Sequence, residues 1–248
     1  MKSQLSATVI VCGLAFVLLT GCDTNSSVEP TKAAPAAEGK KVPVGKNVTM
    51  EVMPDKKRRV LIDSTVCLRE GQLEQLLCRN QTKEHESILT AAVDARDIHK
   101  ALLAAGAEVG SPVQFAPKFK PASGTVIKVS LRYEEKDKNG KTKTIVVPAK
   151  EWIRNVKTMK DLDTDWVFAG SRFIKNEEEP NKPDIYLAND GDLLCLCNME
   201  SALMDLPIAS PKALAERVYE ANTDRIPPKD TKVTVILEPV VDPKKQEK

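Results

Sequence analysis

Two alternating segments joined by Asn139-Gly140 constrain the fold more than any other feature of this chain. Residues 125–133 alternate apolar and polar with period two, which suits a half-buried strand. Asn and Gly both tolerate positive φ, so Asn139-Gly140 marks a tight turn, and 142–147 reads as the return strand. Further strands are expected at 59–68, 165–174 and 231–238. A second hairpin is expected from 185–188 to 193–198, turned by Asn189-Asp190-Gly191. Asp192 completes a likeness to the start of a calcium loop, but the later glutamate of such a loop is missing and a turn accounts for it.

Two helices are expected. Asp94 caps the first, with Asp97 three residues on, as in a capping box. Ile98, Ala101, Leu102 and Ala105 form its buried stripe, and Gly106 stops it. Ser210-Pro211 opens the second, with Leu214, Val218 and Ala221 on its apolar side. Strands that come in hairpins rather than in βα units point to the α+β class: a single domain dominated by antiparallel strands and hairpins, with two main helices.

The N-terminus carries an address. Lys2 precedes an apolar run at 7–19, shorter than the roughly 20 residues of a membrane span but suited to a signal-peptide core. Leu19-Thr20-Gly21-Cys22 resembles the bacterial lipobox. That resemblance implies removal of 1–21 and acylation of Cys22, which becomes the first mature residue. Asp23 resembles an inner-membrane retention signal of enteric bacteria. The expected location is the cell envelope, with the chain membrane-anchored through its acylated N-terminus and facing the periplasm. Residues 22–46 are rich in Ser, Thr, Ala, Pro and Lys and read as a tether spanning roughly 25–30 Å. Residues 47–240 read as the globular body and 241–248 as a charged tail.

A net charge of +2 excludes the basic footprint of a nucleic-acid binder. Both histidines fall near one polar segment, Thr82-Lys83-Glu84-His85-Glu86-Ser87, and the helix after it. His85, Glu84, Glu86 and His99 are therefore the catalytic candidates, for a metal-dependent or acid–base hydrolase. Lys83, Arg96 and Trp166 are the binding candidates. His85-Glu86 begins like a zinc motif, but Leu89 stands where its second histidine belongs. Neither a G-x-S-x-G elbow nor a nucleotide-binding glycine loop occurs. A non-enzymatic binding or interaction module, taking an envelope protein or a small molecule, is the first functional expectation.

Removing Cys12 and acylating Cys22 leaves four cysteines. Cys67 and Cys78 are the disulfide candidates. A tight turn at Glu70-Gly71 leaves them roughly 13 Å out of register, so a bridge needs a longer loop centred near Gln72-Leu73. Cys195 and Cys197 read as buried thiols, with a thiol redox protein as the alternative. Spacings of C-x10-C and C-x-C do not match iron–sulfur runs, so no cluster or other cofactor is expected.

A series of blocks in one order carries a resemblance. It comprises Val66-Cys67-Leu68-Arg69-Glu70-Gly71, Thr82 to Ser87, Asp94-Ala95-Arg96 with Ile98-His99, and Leu102-Leu103-Ala104-Ala105-Gly106. Asp165-Trp166-Val167-Phe168-Ala169-Gly170-Ser171 and Ile226-Pro227-Pro228 complete it. Together they resemble the bacterial YdjY-domain family over about 58–239. The resemblance implies one continuous domain and export, often as a lipoprotein, and supplies no active site.

Overall fold

The computed structural model describes residues 39–177, 179, 181, 183–208 and 218–241. Cys22, the leader and most of the expected tether lie outside the described residues, as do Ser210, Pro211, Leu214 and the 242–248 part of the tail.

The described residues open with β1 (Lys40–Gly45), β2 (Val48–Val52) and the long β3 (Arg58–Val66). Next come β4 (Gln72–Leu73), β5 (Gln75–Arg79) and β6 (Ser87–Ala91), then helix α1 (Ala95–Ala104). An arm of β7 (Val109–Ser111) and β8 (Ser123–Gly124) precedes β9 (Val126–Lys136) and β10 (Thr142–Pro148). Short elements follow: β11 (Ile153–Asn155), β12 (Trp166–Phe168), β13 (Phe173–Ile174), β14 (Ile185–Tyr186), β15 (Leu194–Cys195), β16 (Met204–Asp205) and β17 (Tyr219–Ala221). β18 (Lys232–Pro239) closes the series.

Eight of these strands form a closed barrel in the order β3-β18-β9-β12-β16-β15-β5-β6, with β6 returning to β3. The long strands make closure possible. One edge of β3 pairs with β18, while its other edge is shared by β2 at 58–62 and β6 at 65–66. β9 divides its far edge in the same way between β10 and β12. The hairpin β1–β2 and strand β10 thus project as flanges from a ring that leaves no open edge of its own.

A barrel of eight strands has an interior that side chains just fill. Here alternate residues enter it: Val60, Ile62 and Val66 from β3, Val233, Val235 and Leu237 from β18, and Ile127, Val129 and Leu131 from β9. Leu77, Leu89, Trp166 and Met204 belong to the same buried cluster. Helix α1 packs on β1, β2 and β3, burying Ala95, Ile98, Ala101 and Leu102.

Several expectations are realised. The hairpin turns at Asp137–Lys141, where Gly140 has φ 76° and the Asp137 carboxylate accepts the Asn139 and Lys141 N–H groups. Asp94 caps α1 by accepting the Arg96 N–H at 2.9 Å, all four stripe residues are buried, and Gly106 ends the helix at φ 94°.

The α+β class with two main helices is overturned. The described residues hold one α-helix and a closed, strand-built barrel, with parallel pairs β5–β6 and β15–β16 among the antiparallel ones. Ala221, placed in the second helix, lies in β17 opposite Ile153. The strand expected at 165–174 breaks after Phe168, because Gly170 and Ser171 take positive φ of 90° and 56°. The expected 185–198 hairpin does not form: β14 pairs with β13, and β15 pairs with β5 and β16. β1 occupies Lys40–Gly45, residues assigned to the tether, so the strand-built body includes residues before Asn47.

Candidate functional site

The polar segment at 82–87 closes the connection from β5 to β6 and reaches a buried acidic centre. Lys83 Nζ lies 2.7 Å from Asp192 Oδ1, and the Gln75 amide donates to the same oxygen at 2.6 Å. Ser201 donates its hydroxyl to Asp192 Oδ2 at 2.5 Å. Burial opposes the Lys83 charge, but the Asp192 carboxylate outweighs it and holds the ammonium above its usual range. Gln75 is fully buried, and its Oε1 has no hydrogen-bond partner among the described residues.

Asp205 sits in the same region with no solvent exposure. Desolvation pushes its carboxyl up to about 7, and the Asp192 charge adds to this, against bonds from the Met199 and Leu206 N–H groups. Cys195 and Cys197 share this setting. Burial first, and the neighbouring carboxylates second, drive both thiols well above the usual range. An exposed, easily ionised thiolate, which thiol exchange needs, is therefore not what this pair offers.

A second cluster lies where α1 meets the β13–β14 hairpin. The Tyr186 hydroxyl donates to Gly170 O at 2.7 Å and stands 2.8 Å from His99 Nδ1. With its one proton on Gly170, the phenol can only accept from His99, so Nδ1 carries the imidazole hydrogen and Nε2 is an acceptor. Desolvation holds the imidazole below its usual range, against a Gly170 backbone bond that favours the charged form. His99 meets Phe168 edge-on at 4.9 Å, and Phe173 packs on Tyr186 at 4.6 Å. Gly170 lets these parts meet, since a Cβ there would overlap the Val109 side chain and stand 3.6 Å from His99 Cε1. Around the centre, Val109, Phe173, Ile174 and Ile185 are exposed by 47, 59, 44 and 39 %.

The sequence candidates thus separate. His85 is exposed beside Glu86, while His99 is bound to Tyr186, so the two imidazoles have different partners. Among the described residues no group of three or more His, Cys, Asp and Glu side chains is arranged to hold a metal. Glu84 accepts from the Gln81 and Thr82 N–H groups and the Thr90 hydroxyl; burial opposes its charge, yet these bonds hold it below the usual carboxylate range. Arg96 pairs with Asp94 at the mouth of α1. Trp166 is a core residue, fully buried, with its indole N–H on Cys195 O at 2.8 Å, and offers no platform to a ligand.

Cys67 and Cys78 are free thiols rather than a bridge. They flank β6, Cys67 through its N–H on Ile88 O and Cys78 through register with Thr90. The hydrogen bond between the two sulfurs raises Cys67 and lowers Cys78. Alkylation of the unfolded chain without reductant should therefore label both, and absence of label from both would restore the bridge. In the folded chain Cys195 and Cys197 should react at least about tenfold more slowly than after unfolding.

Asp192, Asp205, Gln75, Tyr186 and Phe173 were not legible as site residues. Asp192 was hidden in an apparent turn, and no local pattern marks Asp205 as buried.

The fold and this geometry define a small closed-barrel domain with a buried acidic centre and exposed apolar side chains at the β13–β14 pair. A model of the YdjY domain matches residues 38–238, and the chain belongs to that family. No curated protein and no solved structure gives a significant match.

Proposed function

We propose that this YdjY-domain protein is a lipid-anchored binding module of the cell envelope, held by acylated Cys22 and facing the periplasm. The observation that carries the binding role is the set of exposed apolar side chains at the β13–β14 pair, Phe173, Ile174 and Ile185, with exposed Val109 against Gly170 nearby. Exposed apolar side chains gathered on one short strand pair and the strand end beside it are a common mark of a contact surface. A polar element beside them is oriented: the His99 imidazole, held through Nδ1 by the Tyr186 hydroxyl, which in turn is bonded to Gly170 O. Such a face fits an apolar protein segment or small molecule that places one donor at the imidazole.

Anchoring is tested by growth with labelled palmitate: the wild-type chain should incorporate label and Cys22→Ala should incorporate none. Label on the Cys22→Ala chain would overturn the lipobox reading. The face is tested by a photo-crosslinking amino acid placed at Phe173 in living cells, with Val146, exposed by 57 % on β10, as control. A discrete adduct from 173, absent from 146 and lost with Ile185→Asp, is expected. Equal yields from 173 and 146 would overturn the binding face.

A further inference from the structure

The arm β7–β8 ends in an ordered tip. Gln114 and Lys120 exchange both backbone bonds, N–H to O at 3.0 and 2.8 Å, and so close a five-residue turn at 115–119. The Gln114 amide donates to Ala116 O at 2.7 Å and braces the turn from within, and Val113 at its base is buried. Phe115 and Phe119 face each other at the end, with ring centroids 6.0 Å apart. Phe115 is exposed by 36 %, and Lys118 and Lys120 are exposed beside it. From 109 to 133 the sequence has Lys118, Lys120, Lys128 and Arg132 and no Asp or Glu.

Charge and apolar surface here agree on one partner. Aromatic rings settle at the boundary between headgroups and acyl chains, and lysines beside them reach the phosphates. A stretch without carboxylates meets no repulsion from an anionic leaflet, whose field falls off within about 10 Å and so acts on the tip rather than on the body. The bridge at Gln114 and Lys120 fixes the turn beforehand, so little chain ordering remains to be done on contact. We propose that the 115–119 tip is a second membrane contact, with Phe115 and Phe119 in the headgroup boundary of an anionic bilayer and Lys118 and Lys120 on lipid phosphates. Two rings and two lysines bind weakly alone. The contact rests on the anchoring reading above, which keeps the bilayer within reach of the tether and leaves the tip to orient the domain.

The test uses the full chain as isolated from membranes, reconstituted in nanodiscs of phosphatidylglycerol with brominated acyl chains. Phe115→Trp and, separately, Phe119→Trp place a reporter at the tip; Val146→Trp is the control, and the buried Trp152 and Trp166 give a constant background. Tip emission should be quenched at least about twofold more than that of the control. It should recover in brominated phosphatidylcholine discs and with Lys118→Glu/Lys120→Glu. Both tip reporters as bright as the control on disc-bound chain would overturn the contact, as would quenching equal in the two lipids. A partner protein of acidic surface, the other occupant such a tip could suit, would give the unquenched result. The acyl mass on the Cys22 peptide is read in parallel. Its absence overturns the anchoring reading alone, because quenching is scored only on chain that stays on the disc.

Discussion

Replacing Asp205 by asparagine is expected to flatten the stability profile between about pH 4 and pH 7. A carboxyl near 3.9 when unfolded and about 7 when folded binds its proton more tightly in the native state. Its contribution is complete below about pH 4 and is lost as pH rises through 7, at a cost on the order of 4 kcal/mol once the buried group ionises. The side-chain amide of the Asp205→Asn variant never ionises; its one oxygen keeps the bond from either Met199 or Leu206 but not both, a cost that is the same at every pH. His99 acts with opposite sign in an overlapping window, since its lowered pKa costs stability as pH falls. The readout is therefore the difference between the two proteins in urea midpoint at pH 5 and pH 8. Wild type should lose ground to Asp205→Asn on going to pH 8, and parallel profiles would mean that Asp205 ionises as it does in water.

Trp166→Ala should destabilise the domain by about 3–5 kcal/mol. The indole is fully buried inside the barrel, and its N–H satisfies Cys195 O, so truncation leaves both a cavity and an unpaired carbonyl. The effect should exceed that of a surface change such as His85→Ala, expected within about 0.5 kcal/mol. Trp152, also buried, remains as a fluorescence reporter for denaturation in both variants. Equal midpoints for Trp166→Ala and His85→Ala would place Trp166 outside the core.

Asp205 and Trp166 show where sequence reasoning stops. Trp166 alternates with Phe168 and reads as half of a strand face, which is correct, but nothing local says that this face closes a barrel. Asp205 carries no signal at all. Its strand is two residues long, too short to show a period, and its burial comes from β12 and β15 on either side. The same shortness hid closure itself. β12, β15 and β16 span two or three residues each, and the turns at Gly170, Ser171 and Gly191 interrupt the patterns around them.

What the sequence determined by itself was local. Alternation through 125–133 with Asn139-Gly140 set the β9–β10 hairpin, and the spacing of Ile98, Ala101, Leu102 and Ala105 set the buried face of α1. Each is decided by contacts a few residues apart, where side-chain period and turn chemistry dominate. The ordered blocks from Val66 to Pro228 likewise pointed to the family. Only the tertiary structure decided that the strands close into a ring, that Lys83 meets Asp192 across 109 residues, and that His99 meets Tyr186 across 87. Closure follows from how the barrel shares the long edges of β3 and β9, and the β5–β15 pairing within the ring brings the Lys83 segment beside Asp192. No residue-level preference encodes that sharing, because it depends on shape complementarity among elements distant in the chain.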